Sequence, residues 1–238
     1  MEKALKNNSF TQIKPLNKNL ERYEKREKLG LPKYKLGEEI FSAVTHGVSA
    51  IFAIVALVLL LAASEKTILN VTTTAVFGGM MVLLYTVSTI YHALGINRAK
   101  RVFRVLDHCT IFLLIAGTYT PLTLACVGGV WGITMFSVVW IAAIVGVTLN
   151  AIDLKKYTVF SMICYISMGW VVVFAINPIL TNMSSFGVLM LFLGGVAYTL
   201  GAVVYGIGKK VPYMHSIWHL FVLAGSVLHA ICVYTVVS

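Results

Sequence analysis

IFSAVTHGVSAIFAIVALVLLLAA, residues 40–63, holds no charged side chain and a single histidine. A helix needs ~20 predominantly apolar residues to cross the hydrocarbon core of a bilayer, and this run exceeds that length. It follows a polar arm, residues 1–37, and is too long for the apolar stretch of a signal peptide, so it reads as an uncleaved first span. Runs of the same character recur near 71–94, 104–127, 130–151, 157–177, 186–207 and 213–236. The whole chain is 58% hydrophobic and 12% charged, where a soluble domain carries about 25% charged residues. Alternating segments of ~10 residues, the mark of an outer-membrane barrel, are absent. The sequence therefore predicts an all-α polytopic membrane protein: a seven-transmembrane helix bundle over 38–238 behind a basic cytoplasmic arm over 1–37.

Charge sets the orientation. Ten Lys or Arg precede residue 37; Arg98, Lys100, Arg101 and Arg104 separate the second and third runs. Lys155 and Lys156 separate the fourth and fifth, and Lys209 and Lys210 the last two. With a cytoplasmic N-terminus these all face the cytoplasm and only Lys66 is outside, as the positive-inside rule requires. The C-terminus is then extracytoplasmic. The same distribution explains a net charge of +10 without nucleic acid as a partner. The arm, with Lys3, Lys6, Arg22, Lys25 and Arg26 among its cations, is either a solvated tail or a surface for anionic lipid head groups, worth about 1 kcal/mol per basic residue. Cys109, Cys126, Cys164 and Cys232 lie within spans, show no CxxC spacing and read as small packing residues.

This topology brings distant polar residues to one depth. The second span runs inward and ends with Ser88 and His92; the third runs outward and begins near Asp107; the seventh begins with His215 and His219. Ser88 and His92 are four apart, as are His215 and His219, so each pair shares a helix face. Two imidazoles at that spacing can hold one ion, as in the HExxH motif, and His92 supplies a third nitrogen. Three protein ligands with a position left for water is the pattern of a catalytic zinc. Asp107 is either a fourth ligand or an outer base for the bound water, and Ser88 would orient that water or a substrate carbonyl. A carboxylate inside a span is costly and tends to mark function, although Arg104 stands close enough in sequence to pair with it. A proton relay built from the same groups without metal is the competing reading.

Other features carry less. His46 is on the correct side of the membrane to join a network around the site. His108 points away from Asp107's face, and His229 lies in the outer half of the last span. Glu38 and Glu39 open the first span, where the helix dipole favours carboxylates. Pro121 predicts a kink in the third span, and Gly194, Gly195 and Gly201 predict close helix contacts.

At Glu39-x-x-Ser42-x-x-Thr45-His46, Ser88-x-x-x-His92, Phe103-Arg104-Val105-Leu106-Asp107-His108 and His215-Ser216-Ile217-Trp218-His219 the chain resembles the hemolysin III branch of the progestin and adipoQ receptor superfamily. The resemblance runs from Glu39 to Tyr234. It implies a multi-pass protein of a bacterial cell membrane, with zinc on His92, His215 and His219 and with Asp107 and Ser88 at the positions associated with the zinc-bound water. Ser42 departs from the Asn by which the adiponectin receptors resemble each other, so no role passes to it. The arrangement is also similar to that of alkaline ceramidases, which implies an intramembrane hydrolase of lipid amides or esters. Nothing in the sequence resembles a pore-forming toxin. The expectations are therefore a zinc hydrolase with a membrane lipid as substrate, or a regulator or receptor of membrane state with a structural zinc. Substrate and oligomeric state are not encoded in any motif.

Overall fold

The computed structural model describes residues 13–207 and 211–238. Lys3 and Lys6 of the arm, and Lys209 and Lys210, lie outside the described residues. Among the described residues, all regular structure is helical. In chain order it is α1 (Ile13–Lys28), α2 (Leu36–Ala63), α3 (Ile68–Ala93) and α4 (Arg98–Pro121), a π-helical turn (Leu122–Val127), α5 (Gly129–Trp170), a 3-10 turn (Val171–Ala175), α6 (Ile176–Asn182), α7 (Ser185–Ile207) and α8 (Met214–Val237).

Among the described residues, six helical stretches are long and apolar enough to cross a membrane: Leu36–Ala63, Ile68–Ala93, Arg98–Val127, Gly129–Asn182, Ser185–Ile207 and Met214–Val237. The fourth holds 54 residues, which as one straight rod would measure ~80 Å, far more than the ~30 Å hydrocarbon core. It is not straight. Asp153 leaves helical geometry at φ −154°, ψ 90°. Ser161 then donates to Asn150 Oδ1 at 2.7 Å, a contact that residues eleven apart on one helix cannot make. The chain folds back at Asp153, and the runs expected near 130–151 and 157–177 are the two arms of α5 and its continuation.

Neighbours in sequence are neighbours in space: α2 packs on α3, α3 on α4, α4 on α5 and α7 on α8, while α8 returns against α2 and closes the bundle. The main core gathers Ala53, Phe77, Met81, Tyr85, Leu114 and Val233 from α2, α3, α4 and α8. Outward faces carry exposed apolar side chains such as Val48, Ile51, Val58 and Leu59 on α2, as a lipid-facing helix must. At Pro121 the missing backbone N–H ends the α-helical ladder and the chain widens into the π-helical turn, the physical form of the expected kink. All four cysteines are free.

The helix ends that carry the site are closed by identifiable groups. α1 stops at Gly30, φ 64°, with Gly30 N donating to Glu27 O and Leu31 N to Arg26 O at 2.8 Å. This is a Schellman turn, and Leu31 is buried beyond it. Asn97 accepts from Lys100 N and starts α4. The last carbonyls of α3 would be orphaned in a helix end buried among neighbours. Lys100, 1% exposed, donates to the carbonyls of Tyr91 (2.8 Å), His92 (3.3 Å) and Leu94 (3.0 Å). Tyr213, at the start of α8, has φ 65° and donates its N–H to Glu38 Oε1 at 2.8 Å, which fixes the start of α8 beside the start of α2.

Two predictions test this construction. Lys100→Met strands three carbonyls in a buried place, removes one of the cations paired with Glu39 and should lower unfolding stability by about 3 kcal/mol in detergent thermal melts. Lys66→Met should change it by less than ~0.5 kcal/mol, because Lys66 caps the carbonyls of Leu61 and Ala62 from an exposed position where water can replace it. Gly194 and Gly195 separate in the same way: a Cβ on Gly194 would strike the His229 ring, whereas one on Gly195 meets nothing within 4 Å. Gly194→Ala should cost about 1–3 kcal/mol as overpacking between α7 and α8, and Gly195→Ala should be neutral or stabilising.

Candidate metal centre

His92 near the end of α3 and the pair His215 and His219 at the start of α8 meet inside the bundle. One ring nitrogen from each lies within 4.8 Å of the others, and all three residues are buried. The ring centroids are 5.4 Å (His92–His215), 5.0 Å (His92–His219) and 4.8 Å (His215–His219) apart. Two nitrogens of a tetrahedral zinc stand about 3.4 Å apart, so the rings need only draw inward to grip one ion. Polar satisfaction points the same way. His92 Nε2 and both nitrogens of His215 and of His219 are buried without a hydrogen-bond partner. Each such orphan costs about 1–3 kcal/mol, a penalty that a shared cation would remove for three of them. A donor set of three imidazoles without thiolate suits zinc with one position left for a small ligand.

Each ring is held by a different device. His92 Nδ1 lies 2.8 Å from Glu39 Oε2. His215 stacks under Tyr34 at 4.8 Å and 20°. His219 stacks on His46 at 3.6 Å and 22°. Tyr34 belongs to the link between α1 and α2, and burial raises its phenol well above the usual pKa, so it covers the centre as a neutral ring. Glu39 is 4% exposed; besides His92 it pairs with Arg26 at 2.8 Å and Lys100 at 3.1 Å.

Ser88 and Asp107 come to the same place without joining the ligand group. Asp107 lies beside Ser88 and near His92, yet Ser88 Oγ is buried and makes no well-formed hydrogen bond. Asp107's carboxyl is not among the converging ligand atoms. Arg104 and Asp107 form no direct ion pair among the described residues; Arg104 donates to the carbonyl of Gly30.

A cavity of about 490 Å³ begins at His46, Asp107, Tyr205 and Trp218 and extends between the helices to Ile179 and His229. Its wall is almost wholly apolar, with Leu114, Leu122 and Leu191 typical, and its volume is in the range of small-molecule sites. From Asp107 to Leu122 along α4 it spans ~22 Å. His229 borders the far end, with Nε2 3.2 Å from Leu191 O, so it is both a packing residue and part of the cavity wall. His108 faces Tyr205 of α7, as its position on α4 predicts.

Sequence reasoning treated Glu38 and Glu39 alike, and the structure separates them. Glu38 accepts from the backbone of Lys35 and Tyr213, a structural cap, whereas Glu39 turns into the centre. Arg26, counted with the arm's other cations, is 1% exposed. No periodicity marks it, because a cation on a polar helix looks the same in sequence whether solvated or buried. Lys100 is hidden among Arg98, Arg101 and Arg104 for the same reason.

The family model described as Haemolysin-III related matches residues 34–230, which contain every residue of this centre except Arg26. Hemolysin-3 of Bacillus cereus is 40% identical over 198 residues, covering 82% of this chain and 90% of that protein. The hemolysin-3 homolog of Bacillus subtilis (strain 168) is 38% identical over 202 residues, covering 84% and 94%. The human monocyte to macrophage differentiation factor is 27% identical over 198 residues, 81% of each chain. The resemblance read from four short motifs thus extends over most of the sequence, and with the apolar helices in hand the conclusion is direct: the chain is a multi-pass membrane protein and belongs to the Haemolysin-III related family.

Proposed function

We propose that the protein is an intramembrane zinc hydrolase acting on an amide or ester bond of a membrane lipid. The observation that carries this reading is a cluster of buried, unpartnered imidazoles packed directly behind the polar end of a long apolar cavity, where Asp107 lines the wall with Ser88 beside it and His46, Tyr205 and Trp218 rest against His219 and His215. His92, His215 and His219 would hold the metal. Zinc so bound supplies an activated water near neutral pH and polarises a carbonyl. Asp107, not paired to Arg104, accepts the proton of the attacking water and returns it to the leaving amine or alcohol. Ser88 Oγ, with no partner of its own, donates to the oxygen that becomes negative in the tetrahedral intermediate. The apolar wall holds the acyl chain, so that the bond to be cut rests at Asp107.

The same reading includes topology. With the turn at Asp153 separating two spans, the bundle has seven, the N-terminus is cytoplasmic and Ser238 is outside. Eighteen of nineteen basic residues, a count taken from the sequence, then share the cytoplasmic side. The exposed basic residues of the arm, Lys25 and Lys28 among them, would meet anionic lipid head groups there.

Purified protein is expected to hold one zinc per chain, and the triple change His92→Ala, His215→Ala, His219→Ala should abolish it. Asp107→Asn should keep metal and fold while lowering release of free fatty acid from extracted membrane lipid by at least ~100-fold, since an amide cannot accept the proton. Identical lipid profiles for wild type, Asp107→Asn and the zinc-free protein would leave the metal as a structural clamp and the protein as a regulator of membrane state. Topology is read separately: a reporter fused after Ser238 should be active only outside the cell, and cytoplasmic activity would contradict seven spans.

A further inference from the structure

The Glu39 carboxylate is buried, and its three partners come from three other elements. Oε1 accepts from Arg26 of α1 at 2.8 Å. Oε2 faces His92 Nδ1 of α3 at 2.8 Å and Lys100 Nζ of α4 at 3.1 Å. Burying a carboxylate among cations gains little stability over an apolar core, so its presence calls for another role. An imidazole that gives Nδ1–H to a carboxylate is fixed as the tautomer whose lone pair is on Nε2, and its ring cannot rotate. In His92 that leaves Nε2, the buried atom without a partner.

Arg26 is in turn held in place. The Schellman turn at Gly30 takes its carbonyl through Leu31 N, and its guanidinium donates to Pro32 O at 2.5 Å as well as to Glu39. Arg104 of α4 secures the same link by its bond to Gly30 O. Four residues after Gly30 the link supplies Tyr34, stacked on His215. Two of the three imidazoles are therefore oriented from the segment that precedes the first membrane helix, one through Arg26 and Glu39 and one through Tyr34.

We propose that Glu39 is a positioning residue of the metal centre, that Arg26 positions Glu39, and that α1 with its link to α2 is a built-in component of that centre. The assignment rests on the metal reading given above. It is tested on the full-length protein without any substrate, by competing zinc against a chelating dye and by the visible absorption of the Co²⁺-substituted protein. Glu39→Gln should weaken zinc about 10- to 100-fold and alter the Co²⁺ bands, because the neutral amide orients the ring less firmly and makes it less basic. Arg26→Gln should shift both in the same direction by a smaller factor, and serves if Glu39→Gln does not fold. Glu38→Gln, at the adjacent structural cap, should leave affinity and spectrum unchanged even where it lowers the melting temperature. A wild type that takes up zinc together with Glu39→Gln and Arg26→Gln proteins of wild-type affinity and spectrum would overturn this assignment alone. A wild type that takes up no metal would overturn the metal reading and this assignment with it.

Discussion

A carboxylate removed from water must be compensated on every side, and at Glu39 that demand organises the polar end of the molecule. Arg26, His92 and Lys100 reach it from α1, α3 and α4. Its neighbour Glu38 captures the residue just before α8 through Tyr213 N, and Ser216 Oγ meets Ser42 Oγ one turn deeper at 2.9 Å. These contacts are short and directional, unlike the packing of generic apolar side chains that holds the rest of the bundle. Hydrocarbon contacts bring the helices together; the polar contacts add direction to that packing, and those of Glu39 do so at the imidazole cluster itself.

The bundle is accordingly divided along its length. One end holds nearly all its buried ionisable groups, and the middle and far end are apolar apart from isolated hydrogen bonds such as Tyr85 and Tyr198 to Ser226. The cavity joins the two zones. Such an arrangement suits an amphiphile, whose long apolar part and short polar part match the division. Asp107 lines that boundary with Ser88 beside it, and under the proposed function the two parts of the substrate would meet there.

The all-helical membrane class was legible because a bilayer leaves so few options: apolar length decides it. The histidine cluster was legible because i, i+4 spacing and shared depth are arithmetic on the sequence. What escaped were residues whose role depends on which cation is buried. Arg26 and Lys100 have exposed basic neighbours in sequence, and only the turn at Gly30 and the cap on α3 select them. Glu39 escaped because a carboxylate in a first helical turn has an ordinary explanation that its neighbour Glu38 in fact satisfies. The break at Asp153 shows the converse: the helices run nearly continuously through a reversal of direction, so charge at Lys155 and Lys156 marked the boundary better than secondary structure does.

The three clustered imidazoles also impose an order on the site's assembly. His92 lies on α3, whereas His215 and His219 lie on α8, with α4, the α5 hairpin and α7 inserted between them in the chain. During synthesis the early helices enter the membrane with Glu39, Lys100 and His92 already able to meet, while two of three imidazoles do not yet exist. The centre is thus completed only when α8 docks back against α2, a contact between distant parts of the sequence and therefore a late one. If the proposed metal binds, its capture at that moment would seal the finished bundle, and occupancy would mark correct assembly.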